Sequence, residues 1–258
     1  MQEKKINITW YGTASVRITA GSSQILIDPF FPFPDSRIKV AEDAYNNCRN
    51  ILVSHGHFDH ISSIDKIAGA DTAVYCTKAP YRTLLKKGVG KENLRLIHVG
   101  SVFSVGDFSI TAYKGKHIRL NAIDCLKAAF SRRVLQNRKG IIKKLVKIIS
   151  FLERKETLCY LVEAYGKRIL ILGSLSLAAD TAYPKEVDLA FFPYQGSDRL
   201  CEIAKSIYAR LRPKAVLLTH FDDTFPPFSS EIDTSEIEDY LKKRAAVYKL
   251  RHGGSIEI

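Results

Sequence analysis

Through the first half of the chain, apolar and β-branched residues fall in short runs closed by glycine, proline, asparagine, aspartate or serine. That pattern predicts strands over 6–10, 15–19, 24–28, 51–54, 73–77, 94–98, 102–105 and 108–113. Helical spacing is confined there to 61–69 and 79–87. The second half predicts strands over 158–164, 168–172, 187–192, 214–219, 246–250 and 255–258. Helices fit 198–211 and 234–244, with Ser197 and Asp233 or Thr234 as N-caps. Strands outnumber helices, and the two halves share a loose symmetry. Two sheets packed face to face, with helices outside, would bury these runs on both faces.

Residues 121–157 break the rhythm. The run IIKKLVKIISFLE from Ile141 to Glu153 sets Ile141, Ile142, Leu145, Val146, Ile148, Ile149 and Leu152 on one helical face, and Lys143, Lys144, Lys147 and Ser150 on the other. Gly140 starts or breaks this helix, and 123–137 reads as another.

Composition adds a compartment and a location for charge. The 258 residues, 46% of them hydrophobic, suit a single domain over 1–258 with a sizeable core. Residues 1–10 carry no apolar signal core, and no apolar run approaches the roughly 18 residues of a membrane span. Five scattered cysteines without CxxC spacing (Cys48, Cys76, Cys125, Cys159, Cys201) read as reduced thiols of a cytoplasmic protein. The net charge is +12, yet residues 127–155 hold ten Lys or Arg against one acid, Glu153. The basic character therefore belongs to the 121–157 insertion. Three roles fit it: packing on the body with solvated lysines, a lid over an anionic substrate, or contact with an anionic membrane surface.

The candidate chemistry lies at 51–63, ILVSHGHFDHISS. A buried-strand pattern ends at Ser54 and His55 follows at once. Positions two apart in an extended segment point the same way, so His55 and His57 can converge on one ion. Asp59 and His60, at the start of the next helix, can face a second ion beside it. Imidazoles and a carboxylate suit Zn²⁺, Mn²⁺ or Fe²⁺. Chance would produce H-x-H-x-D-H roughly once in a few thousand chains of this composition.

Ser54-His55-Gly56-His57-Phe58-Asp59-His60 resembles the signature of the metallo-β-lactamase fold superfamily. Thr9-Trp10-Tyr11-Gly12-Thr13-Ala14-Ser15 and Ile25-Leu26-Ile27-Asp28-Pro29 resemble the branch that contains ascorbate-6-phosphate lactonases and other metal-dependent hydrolases. The resemblance spans the chain outside 121–157. It implies an α+β fold, an αββα four-layer sandwich carrying a basic helical insertion, with metal ligands in loops at one edge. His117, after strand 108–113, resembles the third histidine of the first metal site, and His220, after strand 214–219, the last ligand of the second. His98 and His252 match nothing and read as structural.

One position departs from the pattern. After 168–172 the family usually places Gly-Asp, whose carboxylate bridges two metals; this chain has Gly173-Ser174. A neutral hydroxyl is a poorer ligand, so one firm site (His55, His57, His117) and a weakened second site are expected. Asp180, Asp222 and Asp223 are alternatives for the missing carboxylate.

These residues imply a metal-dependent hydrolase that uses metal-activated water on a small anionic substrate: a phosphorylated lactone, an ester or a phosphodiester. Asp59 would orient the nucleophile or move its proton; Lys114, Lys116 and Arg119 would hold an anionic group or be solvated, and Tyr194 would reach the same edge or pack. Two alternatives are an RNA-processing nuclease and a non-catalytic, metal-stabilised protein that docks through its basic insertion. Confinement of the charge to one segment argues against nucleic acid.

Overall fold

A computed structural model describes residues 4–118, 134, 140–151 and 156–258. Two mixed seven-stranded sheets face one another, with helices outside: the α+β sandwich expected. The first sheet holds β1 (Ile6–Gly12), β2 (Ser15–Ala20), β3 (Ser23–Ile27), β4 (Asn50–Leu52), β5 (Ala73–Cys76), β6 (Leu94–Leu96) and, at its other edge, β14 (Ser255–Glu257). The second holds β7 (Val102–Val105), β8 (Phe108–Lys114), β9 (Leu158–Ala164), β10 (Lys167–Ile171), β11 (Leu189–Pro193), β12 (Ala215–Thr219) and β13 (Ala246–Tyr248). Residues 6–96 thus build one sheet and residues 102–248 the other, apart from β14, which returns to pair with β1.

Every expected strand is present; half are shortened by one or two residues and three are lengthened. β1 alternates buried and half-buried positions, because one face meets the core and the other is partly covered. β11 and β12 are buried at every position and read as unbroken apolar runs, since both of their faces are covered.

Six helices are described: α1 (Phe58–Ile61), α2 (Ile64–Ile67), α3 (Lys78–Lys86), α4 (Ile141–Ile149), α5 (Leu200–Leu211) and α6 (Ser235–Lys242). The pattern over 61–69 becomes two short helices that start three residues early. Ser62 and Ser63 separate them, and the Ser63 hydroxyl accepts the Phe31 N–H instead of capping α2. Ser197 is not the N-cap of α5; Arg199 is, and the Ser197 hydroxyl accepts the Arg199 N–H. Thr234 does cap α6 by position. The helix expected over 123–137 lies outside the described residues except Val134.

Strand direction places the chemistry. β3, β4, β5 and β6 run parallel, as do β10, β11, β12 and β13. β8 and β10 are each antiparallel to β9, so β8 runs with β10. The loops after β3, β4, β8, β10 and β12 therefore gather at one edge of the sandwich.

Candidate metal centre

The structure brings all six expected ligands together at that edge, in two groups of three. The donor atoms of His55, His57 and His117 lie within 4.8 Å of one another, and so do those of Asp59, His60 and His220. The groups are neighbours: the His55 and His60 rings are 3.9 Å apart, centre to centre.

In the first group the rings of His55 and His57 are 4.6 Å apart, those of His57 and His117 4.4 Å, and those of His55 and His117 5.0 Å. His117 Nδ1 donates to its neighbour's carbonyl, Ile118 O, at 2.6 Å. His55 Nδ1 lies 3.0 Å from the Ser54 hydroxyl, while its Nε2 is buried with no hydrogen-bond partner among the described residues. A buried imidazole nitrogen without a partner is costly unless an ion completes it, so this donor set fits a divalent metal. Burial, followed by the neighbouring His60, His57, His117 and His220, pulls the His55 pKa well below its ordinary value of 6.5. The ring is thereby held neutral, the state that ligates.

The second group is charge-compensated. His60 Nδ1 donates to Asp28 Oδ2 at 2.8 Å, and His60 Nε2 lies 3.7 Å from Asp59 Oδ2. His220 Nε2 stands 3.0 Å from the same Asp59 oxygen. Burial would lower the His60 pKa, but Asp28 and Asp59 outweigh it and raise it above 6.5. Burial would also raise Asp59, yet His60, the His220 hydrogen bond and His57 hold its carboxyl far below the usual range.

Asp28 supports both groups. It closes β3 with φ of 43° and accepts from Ser54 N at 2.7 Å, from Ser54 Oγ at 2.5 Å and from His60 Nδ1. Ser54 in turn meets His55, so one buried carboxylate sets the rings of both groups. Gly173 lets β9 approach: a Cβ there would sit 2.2 Å from Leu158 O and 2.9 Å from Ser54 Cβ.

The opening motif braces His220, which has φ of 62°. His220 N donates to Thr13 O, Thr13 N donates to the Asp222 carboxylate, and His252 Nε2 lies 2.9 Å from Asp222 Oδ2. Gly12, with φ of 124°, passes so close that a Cβ would meet Asp222 Oδ2 at 2.9 Å. His252 also stacks on Trp10, in keeping with its structural reading.

Neither group of three includes an alternative for the missing carboxylate, and each has a partner of its own. Asp180 is exposed and pairs with Lys114; Asp222 is engaged by Thr13 and His252; Asp223 accepts from Ser229 Oγ. Ser174 is buried, and its hydroxyl accepts the Ile118 N–H at 3.1 Å. Of the expected substrate contacts, Lys116 is exposed beside His117 and Arg119 lies outside the described residues. Of the two readings of Tyr194, reaching the edge or packing, the structure shows packing. It is 3% exposed, and its hydroxyl lies near Cys201 on α5, with Asp233 and Glu236 beyond.

The family model for the beta-lactamase superfamily domain matches residues 7–220, which includes all six candidate ligands. The chain belongs to the metallo-β-lactamase fold superfamily. A UPF0173 metal-dependent hydrolase of Halobacterium salinarum is 28% identical over 112 residues, 43% of this chain and 44% of that protein. The chain thus spans about half the length of the curated superfamily relatives it matches. Igni18, a metallo hydrolase of Ignicoccus hospitalis, superposes with a TM-score of 0.63 at 16% identity, covering 98% of each chain. An isothiocyanate hydrolase from Delia radicum gut bacteria superposes with a TM-score of 0.63 at 12% identity, covering 97% of this chain and 98% of the other. At such identities the shared property is the superfamily fold.

Proposed function

We propose that the chain is a metal-dependent hydrolase of small anionic esters, phosphodiesters or lactones. The observation that carries this reading is the buried, partnerless Nε2 of His55 in a cluster of three neutral-capable imidazoles at a sheet edge. Zinc is the ion we propose, held firmly by His55, His57 and His117 and more weakly by Asp59, His60 and His220. Such an ion acidifies water toward neutral pH and polarises a carbonyl or phosphoryl oxygen.

The chain's own residues then divide the work. Asp59 remains ionised, so it suits orienting a water by accepting its hydrogen bond better than storing its proton. Asp28 and Ser54 hold the His55 and His60 rings in place. Lys116, exposed next to His117, is placed to meet an anionic group. A phosphorylated lactone is the finer form of the reading, drawn from the motif resemblance.

The test is turnover of chromogenic phosphodiesters and lactones by zinc-loaded protein. His57→Ala, with its circular dichroism unchanged, is expected to lose at least roughly a hundredfold in turnover. Equal turnover in that variant would remove the site from the reaction.

A further inference from the structure

Helix α4 leaves most of its apolar face exposed. Ile142 is 75% exposed, Val146 61%, Ile149 52% and Leu145 43%. At helical spacing these four form one stripe within about 100° of arc. The body is met instead by the flank that carries Lys144, Ile148 and the following Phe151. Lys144 pairs with Asp35 and donates to Pro226 O, and Phe151 is buried in the cluster around Phe58 on α1. Lys144 and Lys147 also lie 5.4 Å from the Phe33 ring. The helix is therefore fixed by one mixed flank, where Lys144 pairs and Ile148 and Phe151 pack, and displays an aliphatic stripe that an ordinary surface helix would bury.

We propose that this displayed face is a docking surface for an anionic lipid bilayer. Three observations select that occupant. Residues 140–151 contain three lysines and no acid, within a segment of ten Lys or Arg against Glu153. Lys66 and Lys87 lie around Lys147 together with Asp65; burial and the two lysines lower the Lys147 pKa, and Asp65 opposes them. A second copy of the chain would bring two such basic segments together, which charge repulsion opposes. Nucleic acid would be met by aromatic rings for stacking, whereas the displayed stripe is aliphatic throughout. Aliphatic side chains flanked by lysines match the acyl boundary and the headgroups of an anionic leaflet. Nine residues make a helix of about 14 Å, too short to span a bilayer and suited to lying in its surface.

Flotation of the full chain tests this without any turnover, so its failure is distinct from failure of the hydrolase reading. The probes are vesicles of phosphatidylcholine alone and of phosphatidylcholine mixed with phosphatidylglycerol. The chain is expected to float with the mixed vesicles and to release at high salt. The double variant Ile142→Asp/Val146→Asp should bind at least roughly tenfold more weakly, with an unchanged melting temperature because both side chains are exposed. Should that variant fail to fold, Lys143→Glu, also exposed, should weaken binding to the mixed vesicles. A wild-type chain that stays at the bottom of the gradient, or variants that float like wild type, would overturn the proposal. So would a dimer in light scattering that the double variant dissolves, which would assign the face to a second copy.

Discussion

The two ligand groups at the sheet edge share a strand end and differ in electrostatics. His55, His57 and His117 form a set without a carboxylate, in which burial keeps His55 neutral and leaves a nitrogen uncompleted. Asp59, His60 and His220 form a set already balanced by two carboxylates, Asp28 behind His60 and Asp59 between the two rings. The first group needs a cation to be satisfied. The second balances its charge internally, although His220 Nδ1 is also buried with no hydrogen-bond partner among the described residues, and Ser174 supplies no charge to join the groups. A metal site can thus be weakened by what it lacks and also by what its ligands already hold.

Removing the shared support should break the contrast most severely. Asp28→Ala strips three hydrogen bonds from a buried carboxylate position and leaves His60 Nδ1 to the Ser54 hydroxyl at 3.3 Å. A loss of about 3–5 kcal/mol is expected in chemical denaturation, with zinc lost from both groups. Next come the two third ligands. His117→Ala should release the firm ion on dialysis, at a cost above the roughly 10- to 100-fold of losing an outer partner. His220→Ala should leave one equivalent of zinc bound. Mass-spectrometric metal counts on both variants check this, and equal loss in both would erase the distinction between the groups. A smaller change would make the groups more alike. Ser174→Asp adds the absent carboxylate while keeping an acceptor for Ile118 N. It should tighten the second ion roughly tenfold in titrations followed by calorimetry.

Legibility in the sequence followed the range of the interaction. H-x-H-x-D-H was readable because four ligands are local, and His117 and His220 because each follows a strand that ends at the same edge. Asp28 stood in a quoted motif without a role, since its hydrogen bonds to Ser54 and His60 cross between strand ends. The brace from Thr13 to Asp222 and His252 joins residues more than 200 positions apart, and no spacing rule reports it. Tyr194 shows the converse limit: a strand end fixes the backbone's place but leaves open whether the side chain reaches the edge or packs, and here it packs. Periodicity likewise named the apolar face of α4 but not which face the body takes. That was decided by Asp35 and Pro226 holding Lys144.

The smallest expected effect separates the groups by pH in metal-free protein. The His55 pKa is lowered on folding, so the unfolded chain binds the proton more readily below 6.5. Its contribution is present above 6.5 and is lost as pH falls toward the folded value. The His60 pKa is raised, so its contribution is complete below 6.5 and is lost as pH rises through the folded value. The two windows meet near 6.5 without overlapping, so the first group shapes the acid limb of the stability profile and the second the alkaline limb. Urea midpoints across pH in chelator-treated protein should therefore pass through a maximum near that value. His55→Gln should flatten the acid limb alone, whereas His60→Gln should flatten the alkaline limb and soften the acid one, because the His60 charge helps to lower the His55 pKa. A profile in which His55→Gln flattens both limbs would mean that the six side chains titrate as one unit, and the division into a neutral group and a balanced one would fall with it.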